Sequence, residues 1–420
     1  MANVKISELP AATTPLSDSN TIPVVQSGTT KQAALSSIGF LQTGTGATLR
    51  TAKAKMADIV SVKDFGAVGN GTTDDTTAVQ AAINAGGSIY FPPGTYKLSS
   101  QITYTMPTTS SSITIFGAGP GISKLVWAAG GGLQINYLGQ FNTAHVRDLE
   151  FLTTSANVGV GLNLNQQAAS IPNPANTAIS DVTNCVFRGS DGYAGVYYWS
   201  VGVQCQGVSF VNFYGVDVTG FNTIGGIGVL MQGTATVIPV IYKFQSCKFN
   251  YVTYGISYGN YVQGVSVNQC EFTGGQYGII SLASLSGLDL LSVTGSQFDV
   301  SIAGILTNTF IPGTQITNCF FIVSSNCVGI NLNQAGLYNI IGNEFHPDGT
   351  PTNAIGIAIG TTVSSYPGVI TGNTIFGMSN SGIYLAAGST AVNVQSNVYL
   401  TNGTNITNLG TSNTLGGGST

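Results

Sequence analysis

The chain has 420 residues, more than one ordinary compact domain holds, with 43% hydrophobic and only 7% charged residues, against about 25% charged in an average soluble protein. That deficit excludes a helix-rich fold, which carries its solubility on charged faces, whereas 56 glycines among abundant Asn, Thr and Ser point to turns and polar outward strand faces. All 12 basic residues lie at or before Lys248, so the remainder, with five acidic side chains, carries a charge of −5; this excludes the basic density that neutralises phosphates in nucleic-acid binding.

Taken in chain order, Met1 to Asn20 contain no basic start followed by an apolar core, so no secretory signal is expected. No apolar run reaches 18 residues, and membrane insertion is not expected either. Over residues 1–45, Ile6-Ser-Glu-Leu-Pro10 and Ile22-Pro-Val-Val25 alternate short apolar runs with Thr, Ser and Pro turns, which predicts a small β-rich module. Leu49, Ala52, Met56 and Val60 then recur at helical spacing, predicting a short neck helix over 46–60 with Arg50, Lys53 and Lys55 exposed. In 61–100, Asn70-Gly71 signals a turn, and Thr73 to Asp75 offer an N-cap and acidic first turn to a helix whose apolar face is Val79, Ala82 and Ile83. Ser88 to Phe91 and Thr95 to Leu98 read as strands about the Pro92-Pro-Gly94 turn. A short amphipathic helix ahead of a strand series is what a solenoid needs to close its open end.

From residue 101 to 410 the dominant signal is a repeat. A six-residue pattern, V-x-x-C/N-x-F, recurs with its fourth position at Leu149, Cys185, Val211, Cys247, Cys270, Ser296, Cys319, Asn343, Asn373 and Asn397. The spacings are 36, 26, 36, 23, 26, 23, 24, 30 and 24 residues. A second pattern, Gly followed by an aliphatic residue, keeps step at Gly255, Gly278, Gly304, Gly329, Gly356 and Gly382. Two short strand signals per repeat predict an all-β coil of parallel strands, stacked at about 4.8 Å, with ladders of Phe, Cys and aliphatic side chains inside. Residues 411–420 read as a flexible tail.

The residues that carry chemistry are few. The six cysteines form no C-x-x-C pair and no His cluster joins them, so zinc is not expected and reduced, buried thiols are; no cofactor is implied. His145 and His346 are the only histidines, and neither adjoins a nucleophile. Glycoside cleavage needs two carboxylates, held about 6.5–9.5 Å apart in inverting enzymes. Glu271 at the fifth motif position and Asp299 just after the sixth of the next coil both face outward, at an expected separation of about 8 Å. An ion pair of Glu271 with Lys248 one coil earlier explains the same residue without catalysis, and Arg147, Asp148 and Glu150 read as a local charge network. Aromatic rings bind sugars by stacking and by their polar tips. Tyr251, Tyr254, Tyr258, Tyr261 and Tyr277 in adjacent coils, and Tyr197, Tyr198 and Trp199, are candidates, with packing between protomers as the other use of such rings. The three longest spacings place loop insertions at 165–176, 221–240 and 346–353, where a solenoid often builds its binding site.

At Asp64-Phe-Gly-Ala-Val-Gly-Asn-Gly-Thr-Thr-Asp-Asp-Thr-Thr-Ala-Val-Gln-Ala-Ala-Ile83 the chain resembles the pectate-lyase-like superfamily, known for right-handed parallel β-helices. Residues 6–50, through Ile6 to Pro10, Ile22 to Val25 and Thr43-Gly-Thr-Gly-Ala47, resemble the virion-attachment module and neck of bacteriophage tail spikes. The resemblance implies a homotrimer in the virion tail, assembled in the host cytoplasm. It would dock to other tail or baseplate proteins through 1–45 and bind, or also cleave, host capsule or O-antigen polysaccharide. The alternatives are a dedicated depolymerase, more in keeping with inverting hydrolysis than with a lyase because no Lys or Arg lies beyond Lys248, and a purely structural tail or baseplate spacer. The motif at 64–83 is structural, and transfers no catalytic residue.

Overall fold

A computed structural model of the chain describes residues 20–139, 141–166, 179–193, 195–282, 285–334, 336–360 and 367–416. Ile6 to Pro10 and most of the expected 165–176 insertion lie outside these residues. The chain divides into two units, Met1–Val60 and Ser61–Thr420.

In the first unit, strands Thr21–Gln26 and Thr29–Ala34 pair antiparallel about Ser27 and Gly28, both at positive φ, as a two-residue hairpin turn requires. The helix expected over 46–60 is confined to Ala52–Met56. Thr51 caps it, accepting the Ala54 amide at 3.1 Å, and Arg50 grips Asp58 with two bonds of 2.9 and 2.7 Å. Leu49 and Met56, expected on its buried face, are 71% and 78% exposed. Five residues make little more than one turn, too short to hold an apolar stripe.

In the second unit, Asp75 organises the opening turn. Its buried carboxylate accepts the amides of Val68 at 2.6 Å and Gly69 at 3.0 Å. It occupies the N-cap position of helix Thr76–Ala85 but makes no side-chain cap bond. Asp74 instead accepts the Thr76 amide at 3.0 Å and the Ser99 hydroxyl at 2.7 Å; with the Thr76 hydroxyl the largest contribution, these bonds hold its carboxyl at about 2. Val79, Ala82 and Ile83 are buried beneath the helix, the apolar face expected of it.

Three sheets of 14, 13 and 12 strands run through the described residues, and the pairs joining successive coils are parallel, as in Gln263–Asn268, Glu271–Thr273 and Tyr277–Ser281 with the next coil. The chain is thus an all-β parallel β-helix of about 13 turns. Residues 411–416, expected as tail, continue the first sheet through Thr414–Leu415.

Each sheet sends columns of side chains into the core, the first and third two apiece, as at Val265 with Val267 and at Ile256 with Tyr258. The first contributes Val146, Val182, Phe213, Phe244, Val267, Val293 and Ile316. The third contributes Val229, Ile256, Ile279, Ile305, Ile330, Ile357 and Ile383. The second stacks Phe249, Phe272, Phe298, Phe321 and Phe345, with ring centroids 4.7–5.0 Å apart. That separation matches the interstrand spacing, so each ring lies on its neighbour without distorting the coil.

The Gly-aliphatic pattern is the other half of this ladder. A Cβ on Gly304 would stand 2.7 Å from the Phe321 ring and 2.6 Å from the Gly329 carbonyl, and Gly255, Gly278 and Gly329 face Phe272, Phe298 and Phe345 in the same way. These glycines are required for space, not for backbone conformation. At the corner between the first and second sheets, Asn184, Ser246, Gln269, Asn318 and Ser396 take positive φ, and the next residue turns inward. There Asn373 Nδ2 donates to Asn397 Oδ1 at 2.9 Å, and Asn343 Nδ2 to Asn373 Oδ1 at 3.0 Å. All six cysteines are buried and unbridged.

One coil corrects the expected register. Phe213 is not the sixth position of a motif at Val208–Phe213. It is the inward residue of the first sheet, paired with Val182 and Phe244, and Val218 takes the second-sheet position between Phe187 and Phe249. The aromatic has changed sheets within this coil, so the ladder position is Val216, which makes the flanking spacings 31 and 31 in place of 26 and 36.

Gly304→Ala is expected to cost about 1–3 kcal/mol by overpacking, and Phe321→Ala about 3–5 kcal/mol, in chemical denaturation. Because the second removes the ring that the first strikes, the double variant should lose less than their sum; strict additivity would refute the interlock. Asp75→Ala should cost about 3 kcal/mol through two charge-assisted bonds and speed hydrogen exchange at the Val68 and Gly69 amides; unchanged exchange there would count against its role.

Candidate functional site

From Glu150 onward the strands of the second sheet are three or four residues long, and their second residue is locked into the inward column. The flanking residues therefore project outward in two columns. One runs Glu150, Val186, Asp217, Lys248, Glu271, Gln297, Phe320 and Glu344; the other includes Asn250, Thr273, Asp299, Ile322 and His346. Ionisable groups from coils far apart in sequence thus share one strip.

Within the strip the polar groups form a chain. Glu150, 3% exposed, accepts Arg188 Nε at 2.8 Å on Oε1 and the Gly121 amide at 3.1 Å on Oε2. The Arg188 guanidinium lies over the Tyr193 ring, 5.2 Å from its centroid, and the Tyr193 hydroxyl donates to Asp217 Oδ2 at 3.5 Å. Asp217 Oδ1 accepts Thr219 Oγ1 at 3.1 Å and Asn250 Nδ2 at 3.3 Å. Burial pushes the Asp217 carboxyl above its ordinary 3.8, against the opposing pull of the Thr219 bond and the Lys248 charge. Lys248 pairs with Glu271 at 3.8 Å, and Thr273 Oγ1 donates to Glu271 Oε1 at 3.2 Å. Burial, reinforced by Asp348, also raises the Asp299 carboxyl.

Glu271 and Asp299 lie on adjacent strands, Asp299 beside Thr273, a diagonal offset of about 8 Å. Asp217 and Glu271 share a column with Lys248 between them, two interstrand steps or about 9.6 Å apart. The expected network of Arg147, Asp148 and Glu150 is not formed: Arg147 stacks on Phe116 at 5.3 Å, Asp148 accepts Asn184 Nδ2 at 2.7 Å, and Glu150 belongs to Arg188. Glu150 sits in the second sheet and Arg147 in the first, so their side chains leave different faces.

The aromatic candidates divide. Trp199 and Tyr258 are 3% and 1% exposed, facing the core from the third sheet; Trp199 Nε1 donates to the Phe151 carbonyl at 3.1 Å. Burial leaves neither ring a face for a sugar. Tyr254 and Tyr277, with centroids 5.5 Å apart, pack half-buried against Ile280, Ala303 and Leu306. Tyr251 is 37% exposed. The expected 221–240 insertion contains a third-sheet strand, Ile227–Gln232; Gln232, Gln206, Asn165 and Asn260 line a cavity of about 340 Å³ beside that sheet. Among the described residues, no three His, Cys, Asp or Glu side chains gather as metal ligands.

Asp217, Arg188 and Tyr193 were missing from the sequence expectations. Asp217 holds the same fifth position as Glu271 once Val216 is the ladder residue; the displaced Phe213 concealed it. Tyr193 lies in an irregular segment, where no periodicity points to it.

Residues 59–280, just over half of the chain, match the family described as rhamnogalacturonase A/epimerase, pectate lyase-like. A 75-residue stretch is 45% identical to mannuronan C5-epimerase AlgE5 of Azotobacter vinelandii, covering 16% of this chain and 8% of that protein; the match thus spans less than a tenth of such curated relatives. Among solved structures, tailspike protein 3 of bacteriophage CBA120 aligns at TM-score 0.55 and 14% identity over 92% of this chain and 70% of that one. PfbA, a surface adhesin of Streptococcus pneumoniae, aligns at 0.52 and 14% over 84% and 91%, and an N-terminal fragment of bacteriophage phi29 gene product 12 at 0.52 and 17% over 83% and 64%. These likenesses concern the fold, and with its ladders and its opening motif the chain belongs to the rhamnogalacturonase A/epimerase, pectate-lyase-like family.

Proposed function

We propose that the chain is a bacteriophage tail spike whose β-helix engages a host surface polysaccharide along the outer face of the second sheet. The observation that carries this is the strip itself. In a chain with 7% charged residues, Arg188, Asp217, Lys248 and Glu271 are gathered on one face beside Tyr193, Asn250 and Thr273, with the buried Glu150 anchoring Arg188. Interleaved donors, acceptors and a ring suit a polyhydroxylated ligand. The fold shared with tailspike and adhesin structures supports the reading. In this reading residues 1–45 attach to the virion, 46–60 form a neck, 61–100 cap the β-helix, and 101–410 form its shaft. The spike is a homotrimer in the virion tail.

The raised proton affinity of Asp217 favours a second reading, in which the strip cleaves what it binds. A carboxyl that keeps its proton to higher pH serves as the general acid, and Glu271, about 9.6 Å along the column by strand spacing, stands at the upper edge of the separation that inversion uses. Glu271 with Asp299 is the alternative pair.

Incubating the chain with capsule and O-antigen polysaccharides, and following association and new reducing ends, separates these readings. Binding without new ends leaves an adhesin; neither signal with the authentic host glycan leaves a spacer. If the strip cleaves, Asp217→Asn and Glu271→Gln should each lower turnover by about 10²-fold or more, with binding retained. Turnover intact in Asp217→Asn but lost in Asp299→Asn would transfer the acid role to Asp299.

Asp217 should titrate above 3.8 in carboxyl-resolved NMR. Between its unfolded and folded values the folded chain binds more protons, so this group subtracts stability as pH rises through that window. Asp217→Asn should flatten that slope; an unchanged slope would show that the carboxyl is solvated.

A further inference from the structure

A second polar site lies on the outer face of the first sheet, away from the strip. A cavity of about 380 Å³ is lined by Asn212, Tyr214, Lys243, Gln245, Ser266 and Asn268, with Asp181 and Thr183 at one end. The register places Asn212 beside Lys243 and Tyr214 beside Gln245, so their side chains leave the same face. Tyr214 is 56% exposed, and its ring forms a floor. The amides of Gln245 and Asn268 are tied to one another, Asn268 Nδ2 donating to Gln245 Oε1 at 2.8 Å.

Arg188 and Lys248 on the second sheet each have an acidic partner, whereas Lys243 and Arg147 on the first sheet form no ion pair among the described residues, as is also true of Lys31, Lys63, Lys97 and Lys124. The carboxylate that lines the groove, Asp181, is engaged elsewhere. Asp181 is bonded to His145 Nδ1 and accepts Thr183 Oγ1 at 3.3 Å, and Asp148 accepts Asn184. Asp181 is also two strands from Lys243, about 9.6 Å along the sheet. Arg147 stands two strands before Tyr214 in the same column. Lys243, a cation without an acidic partner, therefore lines the cavity together with an exposed aromatic ring and a set of amides and hydroxyls, while Arg147, over the Phe116 ring, lies further along the same sheet.

We propose that this groove binds a saccharide unit bearing an anionic substituent, a carboxylate or a phosphate. The ring stacks on Tyr214, the anion meets Lys243, and the hydroxyls bond Asn212, Ser266 and Gln245. An ammonium serves either anion as a point charge. Arg147 meets a second anion further along the chain of sugars. The ligand class follows the glycan-binding reading, but the site is separate from the strip.

Calorimetry on the full chain tests it with three probes: a β-1,4-linked hexamer of glucuronic acid, the neutral glucose hexamer of the same linkage, and poly(glycerol phosphate). The acidic hexamer should bind at least tenfold more tightly than the neutral one, and its affinity should fall with added salt. Lys243→Gln should weaken it about fivefold, as should Tyr214→Ala, while Lys97→Gln, exposed on the second-sheet strand Gly94–Leu98 and outside both sites, leaves it unchanged. Poly(glycerol phosphate) binding with the same Lys243 dependence supports the site and assigns phosphate; its absence, with the hexamer bound, supports the site and assigns carboxylate. Equal affinity for both hexamers, binding indifferent to Lys243→Gln, or no binding of either anionic probe overturns the proposal. Lys243-dependent association stands even where the strip binds nothing, and strip-dependent binding survives loss of this groove, so the two failures are distinguishable.

Discussion

The interlock between a ring on the second sheet and a glycine on the third is the constraint on which the β-helix depends. Coils can stack only at the spacing set by backbone hydrogen bonds, and a stacked phenyl ring fits that spacing. The ring fills the cross-section only if the facing position has no Cβ, as at Gly255, Gly278, Gly304 and Gly329. Phe without Gly would overpack the coil, and Gly without Phe would leave a void. The polar ladder at the corner obeys the same spacing: Asn343, Asn373 and Asn397 each satisfy the amide or carbonyl of a neighbouring coil, groups that would be costly to bury unpaired.

A core built this way leaves the outer positions free. Every inward residue is bound to its column, but the residues beside it answer only to solvent and ligand. This explains how tailspike and adhesin structures share the fold at 14–17% identity, and why the chemistry has to be read residue by residue. It also explains why functional groups distant in sequence meet. Glu150, Asp217 and Glu271 belong to three different coils, and only the ladder register sets them in one column.

The coil of Phe213 and Val218 shows how the two layers interact. Moving the aromatic from the second sheet to the first keeps a large side chain in the coil while altering what lies outside it. Above Val218 the outer face holds Asp217 with Thr219, Asn250 and Tyr193 around it, half-buried and protonated to higher pH than a solvated carboxyl. The same coil presents Tyr214 on the first sheet, the floor of the other groove. Two candidate ligand surfaces therefore adjoin the one place where the aromatic column changes sheets.

Composition and periodicity alone determined the all-β solenoid, the inward Phe, Cys and aliphatic columns, the Gly-aliphatic pattern and the apolar face of the opening helix, because each is local or repeats at the coil period. They also placed Glu271 and Asp299 outward on adjacent strands, since alternation in a strand needs no tertiary information. The register at Phe213 required the structure, because a ring that changes sheets resembles a motif in the wrong place. So did the burial of Trp199 and Tyr258, as aromatic residues fill cores and surfaces with equal facility. The role of Asp75 was likewise hidden, a capping sequence and a backward-reaching carboxylate being written with the same letters. Tertiary structure alone decided the environment of Asp217, because proton affinity depends on what surrounds a group, and its neighbours Tyr193, Thr219, Lys248 and Asn250 come from three successive coils.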